Sequence, residues 1–239
     1  MKRLCWSTLA VIFLGLVGST AQAGPNANGA LLVHVDDSIV FSDGMSYVGL
    51  SDRNCVDDFN CPINDEACSQ QSKIATSTKG SGSTDETTVW WVLAAFPPAS
   101  CPRVSGITFG VGWGTGPNDV TIVDYGTCGD GLEIPSDEWP NNFGNGTAVT
   151  WSSARRAHLI EVYWFAGYAS YGPIQFTLGP HFTQGGNFAD DNVPSALDPI
   201  TYYAKLGLGG AQGEILHDPT PVQEKSWGSI KRIFGSETN

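Results

Sequence analysis

The chain has 239 residues, a formal net charge of −12 from 12 basic and 24 acidic side chains, and 41 % hydrophobic residues. Such an acidic surface repels nucleic acid and anionic lipid, so neither is an expected partner. The length suits one large β domain or two small ones.

The start, MKRLCWSTLAVIFLGLVGSTAQAG, reads as a cleavable secretory signal over residues 1–23. Lys2 and Arg3 form a positive end, Leu9 to Val17 an apolar core, and Ala21 and Ala23 flank Gln22 in the A-x-A pattern that signal peptidase accepts. The apolar core is shorter than the ~20 residues a membrane-spanning helix takes. No later segment is long and apolar enough to span a membrane. The mature chain is therefore expected to be secreted or at the cell surface. Losing Lys2 and Arg3 takes the net charge from −12 to −14.

From Ala30 onward the hydrophobic period is two. Short strands are expected at Ala30 to Val35, Ser38 to Phe41 and Met45 to Leu50, with Asp43-Gly44 as a hairpin signal. Asn54 to Lys73 reads as a polar, cysteine-bearing loop with one helical turn. Thr76 to Thr88 is rich in Gly, Ser and Thr and reads as a surface loop. Thr87 to Phe96 is apolar on both faces, as in a central strand. Val104 to Trp113 alternates, with Ile107, Phe109, Val111 and Trp113 on one face. Strands also follow at Val120 to Tyr125, Gly146 to Trp151, His158 to Tyr168, Ile174 to Leu178 and Thr201 to Leu208. In His158 to Tyr168 strict alternation puts Ile160, Val162, Trp164 and Ala166 on one face and Leu159, Glu161, Tyr163 and Phe165 on the other.

Turn residues recur between strands and no helical period intervenes. The fold class is therefore all-β, an antiparallel β-sandwich over residues 24–216. Residues 217–239 form a Pro-rich linker and a short amphipathic helix, with Trp227, Ile230 and Phe234 on one stripe and Lys225, Lys231 and Arg232 mostly off it. That helix is too short to be stable alone and must dock on its own domain, a partner or a membrane surface.

Five cysteines remain after cleavage: Cys55, Cys61, Cys68, Cys101 and Cys128. Export makes disulfides their default state. Cys101 and Cys128 bracket two successive strands and are expected to pair; two of Cys55, Cys61 and Cys68 would then close a small loop. The odd thiol is unpaired or joined to another chain.

No nucleophile elbow, zinc-protease motif, phosphate loop or dinucleotide fingerprint occurs. The histidines, His34, His158, His181 and His217, stand singly. Glu161, between aromatics in mid-strand, is the candidate acid for a glycan hydrolase. Asp190 and Asp191, followed by Asn192, are the best of several acidic pairs for calcium, the one cofactor the residues suggest; Asp36-Asp37 and Asp57-Asp58 with Asn60 are weaker. Trp139, Tyr168 and Tyr171 lie among polar residues and are the candidate sugar-stacking rings, with Trp139 expected to be the most exposed.

The stretches CPRVSGITFGVGW, VTIVDYGTCGD, GTAVTW and LIEVYWFAGY resemble exported bacterial β-sandwich proteins and, more loosely, cohesin-like modules. The resemblance covers roughly Thr87 to Gly179. The ending PTPVQEKSWGSIKRIF is similar to short tails of such proteins, which implies a sorting or attachment tag. Gly112 to Asp119 replaces the turn expected of a cohesin strand, and no dockerin-type calcium repeat is present. The resemblance implies a fold and a location, not an activity. The expected function is a non-enzymatic, exported binding or structural module for glycan or another surface protein. The second reading is a glycan-directed extracellular hydrolase.

Overall fold

A computed structural model describes residues 23–63, 65–79, 87–114, 119–140 and 145–215. The expected signal core, the 80–86 part of the Gly/Ser/Thr loop and the tail with Trp227, Ile230 and Phe234 lie outside the described residues.

The protein is a β-sandwich. In chain order the elements are β1 (Ala30–Val35), α1 (Glu66–Ser69), β2 (Thr88–Ala95), β3 (Val104–Trp113), β4 (Val120–Thr127), β5 (Leu132–Pro135), β6 (Gly146–Arg155), β7 (Leu159–Ala169), β8 (Ile174–Gly179), β9 (Asn187–Ala189), β10 (Leu197–Pro199), β11 (Tyr202–Tyr203) and β12 (Lys205–Leu208). The first sheet has the order β11-β1-β2-β7-β4. The second runs β10-β9-β3-β6-β5, with β8 on β3 and β12 on β8. All pairings are antiparallel except the short β1–β11 contact.

The alternation of β3 places Ile107, Phe109, Val111 and Trp113 in the core, as expected. There they meet the inner face of the first sheet through a chain of rings. Trp113 stacks on Phe176, Phe176 meets Trp90 and Phe165, and Tyr163 meets Phe109. Edge-to-face and offset rings at such spacings add to the apolar burial itself.

β1 and β2 are buried along their whole length, and β7 nearly so. A sheet buried on both faces needs a second cover besides its partner sheet. Residues 36–79 supply it. Ser38 to Phe41 and Met45 to Leu50 were expected to be strands, yet neither pairs; the segment instead crosses the outer face of the first sheet as irregular chain. Gly44 does turn, at φ +71°, but closes no hairpin. The apolar residues that suggested strands pack on a sheet instead of joining one: Tyr47 is fully buried, accepts the Trp91 indole N–H at 2.8 Å and lies 5.0 Å from the Trp164 ring.

Two disulfides, Cys55–Cys68 and Cys61–Cys101, fasten this layer. The expected Cys101–Cys128 pair does not form. Cys101 lies in the β2–β3 connection beside the covering layer, which brings its Cα to 5.6 Å from that of Cys61. Cys128 follows β4 and is a buried free thiol, so the odd cysteine is sealed inside the domain.

His34 on β1 lies under the same layer. Its Nδ1 accepts the Ile74 N–H at 3.0 Å and its ring stacks 6.3 Å from Trp91. Burial above all, then Arg53 and Lys73, outweigh Asp36 and push its pKa from 6.5 down to about 4. The unfolded chain therefore binds the proton first, and stability falls as pH drops from about 6.5 towards 4. The expected loss is about 2 kcal/mol after discounting for solvent screening. Urea melts at pH 7 and pH 4.5 check it: the loss should shrink in His34→Gln, and an unchanged pH dependence in that variant would refute it.

Candidate functional site

Glu161 is expected to share a face with Tyr163 and Phe165. The structure corrects this. Leu93 pairs with Glu161 but Val92 pairs with Tyr163, so Val162 is the extra residue of a β-bulge. A bulge resets the alternation. Glu161 and Trp164 therefore both face the covering layer, while Tyr163 faces the core.

Beneath that layer Glu161 is buried and its oxygens are taken: Oε2 accepts the Gly49 N–H at 2.7 Å and Oε1 the Ser51 N–H at 3.1 Å. Its backbone N–H donates to Asn54 Oδ1 at 3.0 Å. The Cys128 thiol bonds to the same carboxylate; burial first, then the charge and hydrogen bond of Glu161, push that thiol pKa well above its usual value. A carboxylate sealed this way pins a loop to a sheet and does not reach a substrate.

Trp139 is corrected too. It is 5 % exposed, its indole N–H donates to the Tyr163 hydroxyl at 3.0 Å, and its ring meets Phe109 edge-on at 5.7 Å. The Tyr163 hydroxyl in turn donates to Glu133 Oε1 at 2.8 Å. Its polar neighbours in sequence say little about a residue whose own partners come from β3, β4 and β7. Tyr168 is half-buried on β7 and Tyr171 stands exposed after it. Among the described residues no ring contact joins Trp139 to either.

Asp190 and Asp191 are met by backbone N–H groups and arginines. Asp190 is buried; Oδ1 accepts the backbone N–H groups of Asn192 and Ala196 at 3.2 and 2.7 Å, and Oδ2 faces Arg103 Nη2 at 3.3 Å. Asp191 bridges Arg103 at 3.3 Å and Arg156 at 2.9 Å. Two guanidinium groups on one carboxylate supply the positive charge a metal ion would bring. Among the described residues the only cluster with metal-ligand spacing is Cys55, Asp65 and Cys68, whose sulfurs are joined in a disulfide.

The feature that pattern reading missed is on the second sheet. Leu132, Thr150, Gly106, Ala189 and Leu197 lie side by side across β5, β6, β3, β9 and β10. Ile134, Ala148, Thr108, Asn187 and Pro199 form the next row. Their alternates Val149, Ile107, Phe188 and Asp198 are buried, so both rows point outward. Leu132, Ile134 and Leu197 are 65, 55 and 63 % exposed. A Cβ on Gly106 would touch Thr150 and Ala189 on this same face, which keeps its middle low. Five strands span about 19 Å at the usual strand spacing. Charged residues make up 15 % of the chain, yet none stands in these ten positions. The result is an outward face whose ten positions are uncharged and partly apolar, on an acidic protein. Its strands β5, β9 and β10 have only three or four residues each, too short to show in a hydrophobic pattern.

No family model matches the chain, and neither does any curated protein. Among solved structures it is similar to a cohesin module from the Clostridium perfringens ATCC13124 family 33 glycoside hydrolase, at 5 % identity and a TM-score of 0.45 over 76 % of this chain and 96 % of that one. The non-cellulosomal cohesin of the archaeon Archaeoglobus fulgidus is similar over 55 % of this chain and 83 % of its own, at 13 % identity and a TM-score of 0.37. The seventh ScaB type I cohesin of Pseudobacteroides cellulosolvens gives 9 % identity and 0.39 over 60 % and 92 %. The likeness is loose, and it assigns no role to any residue of this chain.

Proposed function

We propose that this chain is an exported, non-enzymatic module that binds another protein through the outer face of its second sheet. The observation that carries the reading is the pair of uncharged rows from β5 to β10, with Leu132, Ile134 and Leu197 open to solvent. Contiguous exposed apolar surface marks interaction sites, and interface centres are depleted of charge. A sugar would want aromatic platforms beside hydrogen-bonding groups; these rows carry mostly aliphatic and small side chains and no aromatic ring. Export is supported by the Lys2-to-Ala23 pattern and fits the two disulfides, which belong to oxidising compartments. In this reading the 217–239 tail serves attachment or sorting.

The test is affinity capture from the producing cells' surface extract with the wild type and with the double variant Leu132→Glu, Leu197→Glu. Both substitutions sit at exposed positions and should leave the circular dichroism unchanged. The double variant should lose at least tenfold of the captured partner, since two charges set at apolar positions at both ends of the face cost well over the 1.4 kcal/mol that tenfold represents. Val40→Glu, at an exposed apolar site on the covering layer, is the control and should bind normally. Equal binding by the double variant and the control would end the reading.

A further inference from the structure

Asp198 lies in the middle of β10 and is 4 % exposed. Among the described residues it makes no ion pair. Its oxygens are met by the start of the domain: Gly24 N–H donates to Oδ1 at 2.8 Å and Asn26 N–H to Oδ2 at 2.9 Å. The Asn26 side chain is clamped in turn, accepting the Arg103 N–H at 2.8 Å and donating to the Arg103 carbonyl at 3.2 Å. A Cβ on Gly24 would come within 2.4 Å of Asp198 Oδ2, so only glycine fits this approach. A buried carboxylate without a cation is costly, and two backbone N–H groups offset only part of that cost.

The sequence pattern places the peptidase cut at the bond just before this nitrogen, because Ala21 and Ala23 flank Gln22. Hydrolysis breaks the Ala23–Gly24 C–N bond. The hydroxyl of water goes to the Ala23 carbonyl carbon and its hydrogen to the Gly24 nitrogen, which at neutral pH also takes up the proton lost by the new carboxylic acid. An amide N–H beside Asp198 thereby becomes an ammonium.

We infer that Asp198 is the receptor for the mature N terminus, and that signal cleavage creates a half-buried ion pair between the Gly24 α-ammonium and the Asp198 carboxylate. The pair completes the charge balance of β10, the edge strand that lends Leu197 and Pro199 to the outward face. It rests on the cleavage site within the export reading and not on the docking face, so the two can fail separately.

Four proteins released from fusions test it: chains starting at Gly24 or at Ala23, each with and without Asp198→Asn. The Gly24 start should melt about 5 °C above the Ala23 start, the range expected for a charge-assisted bond in a domain of this size. Asp198→Asn should bring the two within about 1 °C of each other. Equal melting of the unsubstituted pair, or a difference that persists in Asp198→Asn, would overturn the inference. Acylation of the α-amine needs no substitution: in the folded Gly24-start protein it should run at least tenfold slower than in a Gly-Pro-Asn peptide, and an equal rate overturns it. Mass spectrometry of the exported protein should find Gly24 first; any other first residue refutes the pairing and leaves the docking experiment intact.

Discussion

Replacing Cys61 and Cys101 together by serine should lower the melting temperature by about 12 °C. The bridge spans 40 residues of sequence. Closing a loop of that length removes chain entropy from the unfolded state worth about 4 kcal/mol, and a domain of this size loses about 3 °C per kcal/mol. The shorter Cys55–Cys68 bridge, at a separation of 13, is worth about 3 kcal/mol on the same reasoning. The dependence is expected because the layer over 36–79 has little else of its own. Among the described residues its single helix is the four residues of α1, and its backbone ties to the sheets are scattered, as at Ile74 to Val35, Cys55 to Leu159 and the isolated bridge of Thr76 to Gly207. Beneath it lie His34, Trp91, Glu161 and Trp164, which would meet water if it lifted. Thermal melts of the double-serine variant decide the point; a drop under 3 °C would mean the bridge adds no constraint the packing lacks.

The second large effect is at Glu161. Glu161→Ala should cost about 3 kcal/mol, because it strands the Gly49 and Ser51 N–H groups and the buried Cys128 thiol beneath the covering layer. Glu161→Gln keeps one acceptor but sets an amide N–H against a donor, and should cost about 2 kcal/mol. Amide exchange gives the location: Gly49 and Ser51 should exchange about a hundredfold faster in Glu161→Ala while β2 keeps its protection. A stability change within 0.5 kcal/mol, or exchange that rises evenly across the domain, would show that Glu161 is not the pin. Either variant bears on the hydrolase reading too, since a residue whose loss loosens a loop is acting on the fold.

The long strands were legible in the sequence because their chemistry is local. The β3 bounds Val104–Trp113 match the expected ones, and β1, β2, β4, β6, β7 and β8 fall within a few residues of theirs. A period of two over six or more residues reports one buried face regardless of what covers it. The same logic misled at Ser38 to Phe41 and Met45 to Leu50. Their apolar residues are buried or half-buried in part, but against the outside of a sheet, and pattern alone does not separate packing on a sheet from pairing within one.

The candidate site was the less legible part. Glu161 and Trp139 stand out by their neighbours in the chain, while Glu161 is held by residues 107 to 112 positions away and Trp139 by Phe109 and Tyr163, 30 and 24 positions away. A single bulge at Val162 sent Glu161 to the opposite side of the sheet from Tyr163. The ten-residue face was invisible because it is a property of register: no two strands that build it are consecutive except β5–β6 and β9–β10.

The sequence by itself determined that this is a two-sheet, mostly antiparallel β protein with a core of alternating aliphatic and aromatic residues, since period and turn chemistry are written within a few residues of each other. It also carries a cleavage pattern at Ala23, one residue before Gly24, whose N–H meets Asp198. Only the tertiary structure decided which cysteines pair, what Glu161 holds and which surface stays uncharged and open. Each of those depends on distances between residues far apart in the chain, which close only when the two sheets and their covering layer pack together.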